Sequence, residues 1–131
     1  MSEADVPINI QLYGIGILKA IMIRHIAPFT ADAVLDKLPI ILRGRFSFKS
    51  KRYWTIPDVK IFKGLNQSAT KELIKGDIVY NPKTDEIMII LDSQVFPNKV
   101  NKIGEVLNNL DLVQKARNGL NTKIFKIKSK N

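Results

Sequence analysis

Gly76-Asp77-Ile78-Val79-Tyr80-Asn81-Pro82-Lys83-Thr84-Asp85-Glu86-Ile87-Met88-Ile89-Ile90-Leu91 decides the fold class. Asn81 to Glu86 is a turn by composition, because Asn, Asp and Pro favour the dihedrals that reverse a chain. Ile78-Val79-Tyr80 enters it as a strand of β-branched and aromatic residues. Ile87 to Leu91 leaves it as a continuous apolar run, which suits a strand buried on both faces and not one with a wet side.

Working outward, the same period-two logic recurs. Ile8-Asn9-Ile10-Gln11-Leu12 alternates strictly and predicts a half-buried strand, with residues 1–7 read as a frayed start. Gly14 and Gly16 mark a turn, and Ile17 to Ile26 completes a hairpin. Thr30 is placed as the cap of a short helix over Ala31 to Leu38, with Val34, Leu35 and Leu38 on one face and Pro39 as its stop. Residues 40–62 carry two or three further strand segments, Arg45-Phe46-Ser47-Phe48-Lys49, Tyr53-Trp54-Thr55-Ile56 and, as a third candidate, Asp58 to Phe62, and Ala69 to Ile74 is ambiguous. Residues 92–99 read as a loop containing Pro97. Val100 to Leu107 reads as a strand in which Gly104 marks a bend or a close backbone approach. Asp111 to Ala116 is a second short helix, with Gly119 suited to its left-handed end. Lys123 to Lys128 is a last strand, whose Lys residues would guard an exposed edge; 129–131 is a tail. The sum is one domain over 1–131, mainly β, with about eight strands and two short helices. Many short strands at even spacing favour a barrel or a sandwich.

Composition bounds the function. The chain has 131 residues, 45% hydrophobic and 25% charged, which is ordinary for one globular domain. No apolar run approaches the roughly 18 residues of a membrane span, and no membrane partner is expected. The acidic start Met1-Ser2-Glu3-Ala4-Asp5 lacks a secretory pattern, and cysteine is absent, so a cytoplasmic protein is expected. Absent cysteine also excludes thiolate catalysis and thiolate metal sites. His25 is the only histidine, and with no Cys beside it a metal site is not expected. Gly14-Ile15-Gly16 lacks the third Gly of a phosphate loop, and no cofactor is expected. The formal charge of +9 suits a polyanion partner, since Lys and Arg neutralise phosphates and release counterions.

Two passages carry a family resemblance. Ala27-Pro28-Phe29-Thr30 resembles the Ala-Pro-x-Thr turn that opens the first helix of cyclophilins. Gly76-Asp77-Ile78-Val79-Tyr80, Pro82, the apolar strand Ile87 to Leu91 and Val100-Asn101-Lys102-Ile103-Gly104-Glu105-Val106 are similar, in order and spacing, to a prokaryotic group of uncharacterised cyclophilin-like proteins. The resemblance covers most of 17–127. It implies a closed eight-stranded β-barrel with a short helix capping each end, and prolyl isomerisation as the one enzyme class. The chain departs from the isomerases where their chemistry resides. It has no Phe-His-Arg segment, Ile87-Met88-Ile89-Ile90 replaces a Gln-Phe-Phe strand, and the pocket His falls near Val100.

The expectation is therefore a cyclophilin-like binding module for a small ligand or an extended peptide, without catalytic residues. Arg45, Phe48, Arg52 and Trp54 are its candidate binding residues, with Ile89 and Phe96 as apolar lining. Arg would orient a carboxylate or carbonyl, and the aromatics would supply buried area. The alternatives are an atypical prolyl isomerase and a nucleic-acid or polyanion binder using Arg43, Lys49, Lys51 and Arg52. The oligomeric state does not follow from the sequence.

Overall fold

The computed structural model describes residues 5–47 and 50–127. Its elements are β1 (Asp5–Leu12), β2 (Gly16–Ile23), α1 (Pro28–Lys37), β3 (Ile40–Arg43), β4 (Arg45–Phe46), β5 (Tyr53–Ile56), β6 (Thr70–Leu73), β7 (Asp77–Asn81), β8 (Glu86–Ile90), β9 (Gln94–Asn108), a 3-10 helix (Leu110–Lys115) and β10 (Asn121–Lys126). All pairings are antiparallel, in the order β3-β10-β1-β2-β9-β7-β8-β5-β4, with β6 on β9. The protein is mainly β, as the strand patterns require.

The sheet curls but does not close. Its two ends, β3 and β4, follow one another in the chain around Gly44, and among the described residues no ladder joins them. This corrects the closed eight-stranded barrel. A single residue between two strands cannot form the turn an antiparallel pair needs, so the chain steps from one end of the sheet to the other. Side chains bridge the seam instead. Trp54 on β5 is fully buried and donates its indole N–H to Thr122 Oγ1 on β10 at 3.2 Å. Phe46 packs edge-on against it at 4.9 Å between centroids, and the Phe46 amide donates to Asn118 Oδ1 at 2.8 Å. Gly44 donates its N–H to the Leu120 carbonyl and accepts from the Gly119 amide. A Cβ on Gly44 would fall on the Trp54 indole, so only glycine fits there.

One core fills the inside of the curl. Ile8, Ile10, Leu12, Leu18, Met22, Trp54, Ile56, Ile78, Tyr80, Ile87, Ile89 and Ile124 enter it from six strands by period-two alternation. From α1, Val34 and Leu35 join them, and Val113 comes from the 3-10 helix. A second, smaller core lies on the outer face of β7 and β8, where Leu73, Phe96 and Val100 cover Val79, Met88 and Ile90. That is why Ile87 to Ile90 is apolar throughout: both faces of β8 are covered. Gly104 is where β9 meets β2, and a Cβ there would strike the Ile21 carbonyl oxygen.

Other expectations are corrected. The strand β1 already pairs at Asp5, against Ile23. The helix α1 begins at Pro28, so Thr30 is not its cap; Thr30 is buried and accepts amide N–H groups of Asn66 and Asn101 at 3.0 and 3.1 Å. The stretch 94–99 is strand, not loop. Pro97 is tolerated because the register jumps from Glu72↔Val95 to Thr70↔Val100, leaving Pro97 in a bulge that needs no ladder bond. The last strand is not an edge, because β10 lies between β3 and β1.

Asp58 to Phe62 forms no strand. Asp58, Lys60 and Phe62 have φ of 61°, 59° and 49°, a region that bulky side chains rarely adopt. The intervening Val59 is buried and Ile61 half-buried, so the alternation turns Lys60 and Phe62 outward. One carboxylate holds this backbone. Asp85 accepts the amides of Lys60 at 2.6 Å, Ile61 at 3.2 Å and Phe62 at 3.0 Å, and the Tyr80 hydroxyl at 2.5 Å. Burial pushes the Asp85 carboxyl up, but the bonds from Tyr80 and from the Phe62, Lys60 and Ile61 amides outweigh it and leave it below the usual range. Burial, and then the bond to Asp85, push the Tyr80 hydroxyl well above the usual phenol range.

Two predictions follow from these contacts. Trp54→Phe removes the bond across the seam and part of the packed volume. It is expected to lower stability by about 2 kcal/mol, read as a lower urea midpoint; an unchanged midpoint would show that the seam does not depend on the indole. For Asp85, a folded-state pKa below the unfolded one adds stability above the unfolded pKa of about 3.9. That contribution is lost as pH falls through the folded value. Asp85→Asn should therefore be less stable than the parent at pH ~7, with the gap closing once the pH lies below the folded value. Urea midpoints above and below that value test it, and a gap that persists in acid contradicts the role given to the charge.

Candidate ligand-binding cleft

The outer face beside the second core is set by strand register. Arg45 stands opposite Thr55, Thr55 opposite Met88, and Met88 opposite Val79. Tyr53 and Glu86, two residues along their strands, share that face. The next row, Trp54, Ile89 and Ile78, points the other way, into the core. Over the outer row the first half of β9 bends away from the sheet, bringing Phe96, Pro97 and Asn98 above it. The result is a cleft of about 340 Å³.

Its floor is polar and ordered. Glu86 receives the Thr55 hydroxyl on Oε2 and faces the Arg45 guanidinium on Oε1 at 3.5 Å. The Glu86 side chain is 15% exposed and that of Arg45 56%, so the carboxylate is sheltered while the cation keeps donors free toward solvent. Asn81 Oδ1 accepts from the Lys83 amide and from Asn98 Nδ2, at 3.1 and 3.0 Å, closing one side. The walls are apolar: Phe46, Met88 and the edge-to-face pair Tyr53 and Phe96, 5.7 Å between centroids. Burial raises the Tyr53 hydroxyl and the Glu86 carboxylate raises it further, while Arg45 opposes them, so Tyr53 is a neutral hydroxyl at physiological pH. Chemically the cleft offers a cation with open donors, a fixed carboxylate, a neutral phenol and aromatic walls.

The sequence-derived candidates divide by this register. Arg45 and Phe96 line the cleft. Trp54 and Ile89, both buried in the main core, do not, and their part is structural. Arg52 lies outside it, where its guanidinium bonds the Ser93 carbonyl at 3.2 Å and stands 3.8 Å from Asp92, bracing the β8–β9 turn. Phe48 and Lys49 lie outside the described residues. The alternative basic set is dispersed: Arg43 is on β3, Lys51 bonds the Gln114 carbonyl at the 3-10 helix, and Arg52 holds the β8–β9 turn. Tyr53, Thr55, Glu86 and Asn98 were not among the candidates. Alternation from Arg45 through its β5 partner would have found Tyr53 and Thr55, whereas Asn98 arrives only through the bend in β9.

Among the described residues no three His, Asp or Glu side chains gather as metal ligands, and no helix is long and apolar enough to cross a membrane. No protein-family model and no curated protein matches the chain. Solved structures do. A hypothetical protein, AF2241 from Archaeoglobus fulgidus, superposes with a TM-score of 0.76 at 17% identity, over 97% of this chain and all of that one. McbB, in its structure with tryptophan, superposes with a TM-score of 0.76 at 11% identity, over 95% of this chain but 46% of McbB. At such identities the likeness is one of fold: this chain has the same curled β architecture as AF2241 and as about half of McbB.

Proposed function

We propose that this protein is a small-ligand-binding module of cyclophilin-like architecture, and that its ligand carries a carboxylate on an aromatic or similarly flat apolar body. The observation that carries this is the pairing of a sheltered Glu86 with a solvent-facing Arg45 between aromatic walls. Glu86 stands 3.5 Å from the guanidinium, and Arg45, which lines the cleft, keeps exposed donors that suit the fork geometry of a carboxylate. Phe46, Tyr53 and Phe96 supply flat apolar area for the ligand body. An amine on the same ligand would find Glu86. The tryptophan in the McbB structure has this combination of groups, and it gives the first ligand to try.

The cleft is small enough for a single amino acid or one residue of an extended peptide, and both belong to the test. Titration with tryptophan, its amide, its N-acetyl form and a tryptophan-containing peptide, followed by calorimetry, separates them. Free carboxylate recognition predicts saturable binding of tryptophan that the amide lacks. Arg45→Ala should weaken it about tenfold or more, and Tyr53→Ala should weaken it through lost packing. Lys19→Ala, exposed on β2 and outside the cleft, serves as a control. Binding that survives both substitutions, or no saturable binding by any of the four compounds, would overturn the reading.

A further inference from the structure

Phe29 and Phe62, each 76% exposed, are the most exposed large apolar side chains among the described residues, and Leu65 is 56% exposed. All three lie on two adjoining stretches, the start of α1 and the 57–69 segment, which the Ser68 hydroxyl joins by bonding the Ile26 carbonyl. Phe29 and Leu65 line the same hollow of about 530 Å³, between the start of α1 and the 57–69 segment. Phe62 stands three residues before Leu65, where its amide is held on Asp85. Isolated exposed apolar residues need no explanation, but a group of three does.

These side chains are held outward by a built segment. Three positive φ values turn Phe62 away from the core, a conformation that persists because Asp85 takes three successive amides. The Tyr80 hydroxyl accepts the Lys63 amide, and the Lys37 ammonium bonds the Val59 and Lys60 carbonyls at 2.8 and 3.0 Å. Farther along, the buried Asn101 side chain accepts the Asn66 amide and donates to the Gly64 carbonyl. Leu65 is thus pinned on both sides.

Charge says what would cover this surface. Lys60 and Lys63 flank Phe62 and are exposed, and exposed Lys83 and Lys99 line a second hollow with Leu65 on its other side. The 57–69 segment carries Lys60 and Lys63 against one acidic residue, Asp58; on α1, Asp32 is paired with Arg24 and Asp36 is exposed, and Asp85 is held by three backbone amides and the Tyr80 hydroxyl. Apolar tips ringed by lysines match an anionic lipid surface, where hydrocarbon receives the tips and headgroup phosphates receive the ammonium groups. A nucleic acid would use the lysines but leave Leu65 and the apolar hollow unsatisfied, because an aliphatic side chain has no flat face for a base. We infer that this surface, with Phe29, Phe62 and Leu65 at its tips, docks peripherally on anionic membranes. Such contact needs no spanning helix, and it is independent of the ligand proposed for the cleft.

Co-sedimentation of the full chain with vesicles tests the inference, using phosphatidylcholine alone and phosphatidylcholine with about one-third phosphatidylglycerol. The expected result is binding to the anionic vesicles, weakened by salt, and little binding to the neutral ones. The double variant Phe62→Ser, Leu65→Ser should lose about tenfold in affinity while keeping its circular dichroism spectrum. Leu65→Ser alone should fall between, and it stands in if the double variant does not fold. Lys60→Ala with Lys63→Ala should lower binding and flatten its salt dependence. Absence of binding to anionic vesicles overturns the inference. So does undiminished binding by the apolar variants, which would assign the attraction to charge alone. Equal loss of affinity for single-stranded RNA in the apolar variants, or a dimer that the Ser substitutions dissociate without vesicles, would assign the patch to those partners and overturn it too.

Discussion

A buried indole holds the two ends of the sheet together. The strands β3 and β4 are consecutive but lie at opposite ends of the sheet, so backbone bonding alone leaves a seam. Trp54 fills it from β5, reaches Thr122 on β10, and requires that Gly44 have no side chain. The arrangement fixes more than the seam. With Trp54 turned inward, pleating turns Tyr53 and Thr55 outward, and their register partners Ile90 and Met88 follow. The chemistry of the outer face is therefore set by what the inner face needs for closure.

Period two explains both what was legible in the sequence and what was not. Ile8 to Leu12, the Gly14–Gly16 turn, Tyr53 to Ile56 and the apolar run in β8 could be read directly, because one buried face or two leave a pattern in hydrophobicity. Gly104 was legible for a different reason: an isolated glycine in a strand marks a backbone that comes too close for a side chain. The failures share a cause. The strand expected at Asp58 to Phe62 has the right alternation, yet a distant carboxylate organises its amides into a left-handed pattern. The loop expected around Pro97 ignored that a bulge accommodates proline. The Lys-rich last strand looked like an edge, but the chain places β3 outside it.

The cleft was half legible. Arg45 stood out as a cation among aromatics, and Phe96 as an apolar residue near the next turn. Trp54 stood out for the same reason and belongs to the opposite face, because neighbours in sequence are not neighbours on a sheet. Glu86 carried no signal of its own. A lone Glu at the end of a turn is ordinary, and only the β5–β8 register brings it under Thr55 and beside Arg45.

Asp85 and Glu86 are adjacent in the chain and serve different masters. Asp85 gathers the amides that hold Phe62 outward, while Glu86 orients Arg45 in the cleft. A single planar peptide unit separates them, and such a unit turns as one piece. Lys83 and Asn98 also belong to the walls on both sides. The β7–β8 turn thus supplies both surfaces from neighbouring residues, one carboxylate to each, so a substitution that displaces the turn would disturb both at once.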